Sequence, residues 1–203
     1  MWNTRLDMKY IGKAIRAYGK QYDVKGRYGE MIVVSIFDDK FFGNDEHYIV
    51  NDLYFGDGSK TTQIDHVVIY KTGIFCIETK NIDGAIIGDE TSRYWMQYKN
   101  GQSRRFYNPI MQNINHSVCL SKFFNNQYNI HSVVVFIKSN KPKTPPIGVV
   151  NLEELKDYVK NFKSEILLSS NEMKEICNLL LEHKKNNTIT RQQHIRNNGD
   201  SSL

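Results

Sequence analysis

Residues Gln63 to Lys80 read QIDHVVIYKTGIFCIETK, two apolar runs on either side of Lys71-Thr72-Gly73. The pattern is that of a β-hairpin. It carries Asp65, Glu78 and Lys80 where a buried hairpin should carry no charge. Charged side chains are almost never fully buried unless they are paired or bind a metal. Side chains alternate between the faces of a strand, so Glu78 and Lys80 share one face while Phe75, Ile77 and Thr79 point to the other. Asp65 joins Glu78 and Lys80 when opposed residue numbers sum to an odd value. A four-residue loop at Tyr70 to Gly73 sets Asp65 opposite Glu78, with Cβ atoms roughly 5 Å apart. A two-residue loop at Thr72-Gly73 sets it opposite Lys80. A one-residue slip scatters the three groups.

Two convergent carboxylates suit a hard divalent cation such as magnesium, which keeps several waters and adds substrate phosphate to one or two protein carboxylates. A lysine beside them can hold the attacking water or steady the charge that builds on phosphorus. The constellation points to metal-assisted phosphodiester hydrolysis. The competing reading is a solvent-facing hairpin edge with weak surface pairs, and the D…ExK pattern alone leaves both open.

The chain of 203 residues fits one domain with a sizeable core. It has no apolar run near the length of a membrane span, and its N-terminus lacks the apolar region of a secretory signal. Cys76, Cys119 and Cys177 are widely spaced in apolar patterns, so buried reduced thiols in a cytoplasmic protein are expected rather than disulfides or zinc ligands. The net charge is +5, and Lys184, Lys185, Arg191 and Arg196 against Asp200 supply over half of it. That balance is compatible with a phosphate-rich partner without demanding one.

Residues 3–20 read as a polar helix with Leu6, Ile11, Ile15 and Tyr18 as apolar contacts. Gly26 is expected to break the pattern before a second helix from about Arg27 to Asp38. There Glu30 shares the inward stripe of Val33, Val34 and Phe37, although a first-turn glutamate favoured by the helix dipole is the plainer explanation. Strands are expected over Tyr48–Phe55, Gly84–Gly88 and Tyr94–Tyr98, which with the hairpin form an antiparallel meander with Trp95 in or over the core. Arg104 and Arg105 are candidates for phosphate contact. Asn108-Pro109 starts a helix that runs to about Phe124. On it Gln112 and His116 extend the stripe of Cys119, Leu120 and Phe123; Gln112 is the site candidate, and His116 is expected to be satisfied by backbone groups. Ser132–Lys138 reads as a strand covered on both faces and Ile147–Val150 as a short one. Asn151 with Glu154 and Ser169 with Glu172 cap two further helices, the last bearing Met173, Ile176, Cys177, Leu180 and Leu181 on its core face. Beyond His183 the polar tail is expected to lack fixed structure.

The ordered set Gly29-Glu30, Gln63-Ile64-Asp65-His66, Gly73-Ile74-Phe75, Ile77-Glu78-Thr79-Lys80 with Gly84, and Asn108-Pro109 through Gln112, Asn113 and His116 closely resembles the nuclease-related domain, NERD, a branch of the PD-(D/E)xK nuclease superfamily. The resemblance covers about residues 25–125. It implies an α/β fold with an αβββαβ core, a mixed sheet flanked by helices and extra N- and C-terminal helices. It implies Glu30 as the carboxylate from the first helix, Lys80 as the catalytic lysine and Gln112 beside the site. Asp65, Glu78 and the Thr79 main-chain carbonyl become ligands of Mg2+ or Mn2+. Ile64 stands where the wider superfamily has proline, which leaves the acid intact. The corresponding organisation is an N-terminal helical extension at 1–24, a nuclease core at 25–150, packed helices at 151–184 and a basic tail at 185–203. The expected function is a metal-dependent nuclease acting on DNA, in DNA processing or defence, with Arg104, Arg105, Lys184 and Lys185 touching the nucleic acid. The alternatives are a catalytically silent nucleic-acid-binding or scaffolding domain and, more weakly, a hydrolase of small phosphoesters.

Overall fold

A computed structural model describes residues 21–38, 42–56, 61–189 and 193–194, so the helix expected over 3–20 lies outside the described residues. The first described helix, α1 (Gln21–Ile36), runs through Gly26 rather than starting after it. Glycine inside a helix costs about 1 kcal/mol against alanine. That is less than the packing of Val33 and Phe37, both buried, returns to this helix.

The hairpin forms as β2 (Thr61–Tyr70) and β3 (Gly73–Lys80), and β1 (His47–Gly56) pairs antiparallel with β2. Tyr70 pairs with Gly73 and His66 with Ile77, so Lys71-Thr72 is the connection and the register is the one that opposes Asp65 to Glu78. On its other edge β3 takes β7 (Ile130–Phe136) as a parallel neighbour, followed by β8 (Val149–Asn151), giving the mixed order β1-β2-β3-β7-β8. A parallel step needs a crossover, and α2 (Pro109–Phe123) provides it.

The single meander expected from sequence is corrected here. β4 (Ala85–Ile87), β5 (Tyr94–Lys99) and β6 (Gln102–Tyr107) form a separate antiparallel sheet. The free edge of β3 goes to the apolar run of β7, so the strand that follows β3 in the chain cannot add to it. The residues around Arg104 and Arg105, which carry no strand pattern of their own, become β6 through pairing with β5.

One face of the main sheet carries Val67, Ile69, Ile74 and Cys76 under α2 and α4 (Ser170–Asn186), through Leu120, Phe124, Ile176 and Leu180. The other carries Val68, Phe75, Ile77 and Val135 under α1 and α3 (Leu152–Lys160). A third cluster joins Ile86 and Trp95 of the small sheet to Val134, Phe136 and Val149, with Trp95 stacked on Phe136 at 6.2 Å. The caps form as read: Asn108 accepts from Ile110 N at 2.9 Å, and Glu154 and Glu172 reach back to the amides of Asn151 and Ser169 at 2.6 and 2.8 Å. The three cysteines are free thiols, Cys76 and Cys177 buried and Cys119 partly so. Among the described residues no helix is long and apolar enough to cross a membrane. The described residues beyond His183 hold more order than their polarity suggested. α4 runs on to Asn186, Asn187 bonds the Tyr54 carbonyl, and the His194 Nδ1 lies 2.8 Å from Thr61 Oγ1. These side chains meet polar groups at the β1–β2 end, which supplies hydrogen bonds in place of apolar burial.

Gly29 sets how closely α1 approaches the end of β3. A Cβ there would lie 2.8 Å from Asn81 Cβ and 3.3 Å from Ile137 Cγ1. Asn81 also donates to the Lys25 carbonyl at 2.7 Å, which ties the first described turns of α1 to the residue after β3. Gly84, at φ +86°, has no room either, because a Cβ would run into the Tyr98 carbonyl. Gly29→Ala should therefore lower stability by about 1–3 kcal/mol, the usual cost of overpacking. A urea unfolding curve should show it as a lower midpoint with an unchanged slope.

Candidate functional site

The β2–β3 ladder stops at His66–Ile77, one pair short of Asp65 and Glu78. There the Asp65 Oδ2 accepts the Thr79 N–H at 2.9 Å in place of a main-chain carbonyl. The pleat of β2 is interrupted at the same point, since Ile64 and Val67 fall in one core cluster, which strict alternation forbids. Across on β1, Asp52 sits at φ +52° between the pairs Asn51–His66 and Leu53–Ile64, and its Oδ1 accepts from Gln63 Nε2 at 3.1 Å. Aspartate is one of the few side chains that enters this backbone region at modest cost.

Glu78 is 4 % exposed. Its Oε1 receives the Lys80 ammonium at 2.7 Å, and Lys80 donates a second bond to Gln112 Oε1 at 3.0 Å. The Oε2 of Glu78 is buried without a hydrogen bond and lies 3.4 Å from His116 Nδ1, itself buried and unpartnered. Burial, followed by the charges of Glu78 and Glu30, pushes the Asp65 carboxyl well above the usual carboxylate range. The Thr79 amide and Lys80 pull the other way. Glu30, Asp65, Glu78, Lys80 and Gln112 are thus drawn from α1, β2, β3 and α2 into one neighbourhood.

Thr79 contributes its main chain. Lys80 O accepts from Ile137 N at 3.1 Å, so the Lys80 peptide faces the β7 side. Thr79, the neighbouring residue, faces β2 with both its N–H and its C=O. Its carbonyl therefore stands on the edge where Asp65 lies. Among the described residues no three His, Cys, Asp or Glu side chains make a ready metal cluster. The residues that could hold an ion are instead two carboxylates and a peptide oxygen, with one carboxylate oxygen unpartnered. That hard, incomplete set fits magnesium or manganese, which fill their remaining positions with water and phosphate.

The rest of the Asn108–His116 motif positions this group. Asn113, fully buried, donates to the carbonyls of Cys76 and Val133 at 2.9 and 3.0 Å and to Ser132 Oγ at 2.8 Å, fastening α2 across β3 and β7. Asn108 holds the Ser92 carbonyl at 2.8 Å and caps α2 one turn before Gln112. His116 departs from expectation: it is not satisfied by backbone but faces Glu78. Its signal was present in sequence, since it shares the helical stripe that identified Gln112. Burial holds its imidazole below the ordinary histidine value, with Glu78 opposing and Lys80 reinforcing the shift.

The four expected nucleic-acid contacts lie on other elements than the carboxylates. Arg104 and Arg105 lie on β6 of the small sheet. Lys184 and Lys185 lie in the last turn of α4, where Lys184 donates to the Asn51 carbonyl and fastens that turn to β1.

A family model described as the nuclease-related domain, NERD, matches residues 25–137, more than half of the chain. The match runs from α1 to the residue after β7 and so contains every element that supplies the carboxylates, Lys80 and Gln112. An uncharacterized protein of Bacillus anthracis is 26% identical over 181 residues, which is 85% of this chain and 82% of that protein. No solved structure matches the chain.

His66 lies behind the site, its Nδ1 2.8 Å from Asn51 Oδ1 and its Nε2 buried without a partner. Burial drives its pKa down to about 4, against a raising effect of Glu78. A depressed folded value means that the fold favours the neutral ring. The resulting stability is complete above the unfolded value of about 6.5 and is lost as the pH falls to about 4. At 1.36 kcal/mol per unit this amounts to about 3 kcal/mol. Urea titrations between pH 7 and about 4 should show a shallower loss of stability for His66→Gln than for the wild type. Some slope should remain, because burial also lowers His116 and His131.

Proposed function

Because the chain belongs to the nuclease-related domain family, we propose that it is a divalent-metal-dependent nuclease that hydrolyses phosphodiester bonds of nucleic acid, DNA foremost. The observation that carries this reading is the interrupted β2–β3 rung. The reading is supported by Asp65 accepting the Thr79 amide beside Glu78, and by Lys80 bonded to both Glu78 and Gln112.

Asp65, Glu78 and the Thr79 carbonyl are the residues that would hold magnesium or manganese. Bound there, the ion supplies Lewis-acid polarisation of the phosphate and a more acidic water. The remaining work belongs to the chain. An ammonium has three donors, and Lys80 spends two of them on Glu78 and Gln112. The third is the one with which it would orient the attacking water or meet a non-bridging phosphoryl oxygen as negative charge builds on phosphorus. Gln112 fixes the direction of that donor, and burial around Glu78 strengthens the interaction by excluding bulk water. Glu30 adds negative charge from α1, which raises the demand for a cation at Asp65.

The test is incubation of the purified protein with labelled single-stranded, duplex and branched DNA in magnesium, manganese or EDTA. Cleavage should need the metal. Lys80→Ala should reduce cleavage by about a hundredfold or more while leaving much of the binding, since binding draws on many phosphates and chemistry on this one amine. A wild type that binds nucleic acid but cuts none with either metal would make the protein a binding module instead.

Metal ligation has its own readout in thermal stability. An ion bound only by the folded state at a hundred times its dissociation constant adds about 2.7 kcal/mol. Magnesium or manganese should raise the melting temperature of the wild type, and Asp65→Asn should abolish the rise. An equal rise in both proteins would remove Asp65 from the ligand set.

A further inference from the structure

The small sheet turns two different faces outward and inward. Opposed residues of an antiparallel pair share a face, so Trp95, paired with Phe106, points with Ile86 into the third core cluster. The other face is made by Tyr94, Met96 and Tyr98, with Ile87 from β4 and Arg105 and Tyr107 from β6. It is open: Tyr94 is 41 % exposed, Tyr98 44 % and Ile87 60 %.

Tyr98 stands in the middle strand between Ala85 on one side and Ser103 on the other. Both neighbours are too small to cover an aromatic ring. Tyr94 is flanked by the guanidinium groups of Arg105 at 4.9 Å and Arg93 at 5.6 Å from its ring centroid. Residues 93–107 contain four cations, Arg93, Lys99, Arg104 and Arg105, and no carboxylate. Lys99 is committed to Asp83 at 2.8 Å.

We propose that this outward face is a seat for single-stranded nucleic acid, with unstacked bases lying on the Tyr98 ring and on the guanidinium planes that Tyr94 holds, and the backbone meeting Arg93 and Arg105. Bases in a duplex are stacked on one another and present no faces to tyrosine rings. A single strand does, and stacking on aromatic rings and guanidinium planes is how such strands are held. Tyrosine, methionine and arginine also suit a protein interface, but four cations without a carboxylate over residues 93–107 favour a polyanion. The position of the sheet also suits delivery of the strand. It springs from the chain just after Lys80 and returns at Asn108, whose amide donates to the Arg93 carbonyl at 3.0 Å, one turn before Gln112.

The proposal takes its occupant from the nuclease reading, so the experiment separates the two. Binding of the full chain to a fluorescein-labelled 12-nucleotide single strand, and to the corresponding duplex, is measured by anisotropy in EDTA, where no metal-dependent cleavage occurs. The single strand should bind at least tenfold tighter than the duplex. Tyr94→Ala/Tyr98→Ala should weaken single-strand binding by about tenfold or more, and Tyr94→Phe/Tyr98→Phe should restore it, because stacking needs the ring and not the hydroxyl. Arg105→Gln should reduce the slope of log affinity on log salt by about 1. The phenylalanine protein, which keeps the ring contacts of Tyr94, should melt with the wild type, and a tyrosine-to-alanine protein that unfolds leaves the phenylalanine and Arg105→Gln proteins to decide.

Equal affinity for single strand and duplex would overturn the proposal, as would an alanine variant that binds like the wild type. So would a wild-type dimer that the alanine changes dissociate without altering oligonucleotide affinity, which would assign the face to a second copy of the chain. Tyrosine-dependent binding without cleavage in either metal would sink the nuclease reading and leave the seat. Lys80-dependent cleavage of single strands that is undiminished in the alanine variant would do the reverse.

Discussion

The hydrogen bond from the Thr79 amide to the Asp65 carboxylate is the constraint on which the site depends. It replaces a main-chain rung and so lets β2 and β3 separate where a regular ladder would have closed. The Thr79 carbonyl is thereby left facing the same edge as Asp65, and Glu78 and Lys80 follow on the face turned toward α2. β1 accommodates the interruption by taking a left-handed backbone at Asp52, so that its pairing with β2 resumes on the far side. Such departures from regular geometry cost free energy and persist where the surroundings hold them, which is characteristic of functional sites.

The site concentrates negative charge. Glu78 pairs with the Lys80 ammonium, Glu78 and Glu30 both act on Asp65 through their charge, and burial with these charges raises the Asp65 carboxyl. A core chosen for stability alone would not gather these groups. The fold holds them by fastening what surrounds them. Asn113 satisfies carbonyls on two strands at once, Asn81 ties α1 to the end of β3, and Gly29 lets that helix come close enough for Glu30 to be felt at Asp65. Buried polar groups whose partners are all present make rigid supports, whereas partly satisfied ones are costly. The unpartnered oxygen of Glu78 and nitrogen of His116 face each other in the site, and His66 Nε2, Thr79 Oγ1 and Asn81 Oδ1 around it are also buried without a partner.

The small sheet explains how Lys80 and Gln112 meet although they are 32 residues apart. Everything between them leaves the main sheet as β4–β6 and comes back at the α2 cap. The inward face of this excursion closes the core beside Phe136, and its outward face is left aromatic and cationic. A segment inserted between two catalytic candidates thus adds surface next to them without moving either.

Local periodicity in the sequence determined the direction of each candidate side chain relative to its own element. Alternation along β3 put Glu78 and Lys80 together, the odd register brought in Asp65, and the helical stripe carried Gln112. The caps at Asn108, Asn151 and Ser169 were equally local and formed as read. Tertiary structure alone decided which element lay opposite which. The free edge of β3 went to β7 because that long apolar run gains most from burial between helices, and the expected meander became two sheets. Gly26 stayed helical because packing elsewhere on α1 outweighed its propensity, and β6 became a strand only by having β5 to pair with. His116 turned to Glu78 rather than to the backbone for the same reason. A residue's spacing reports where its side chain points, but its partner is set by competition for strand edges and buried space among segments far apart in the chain.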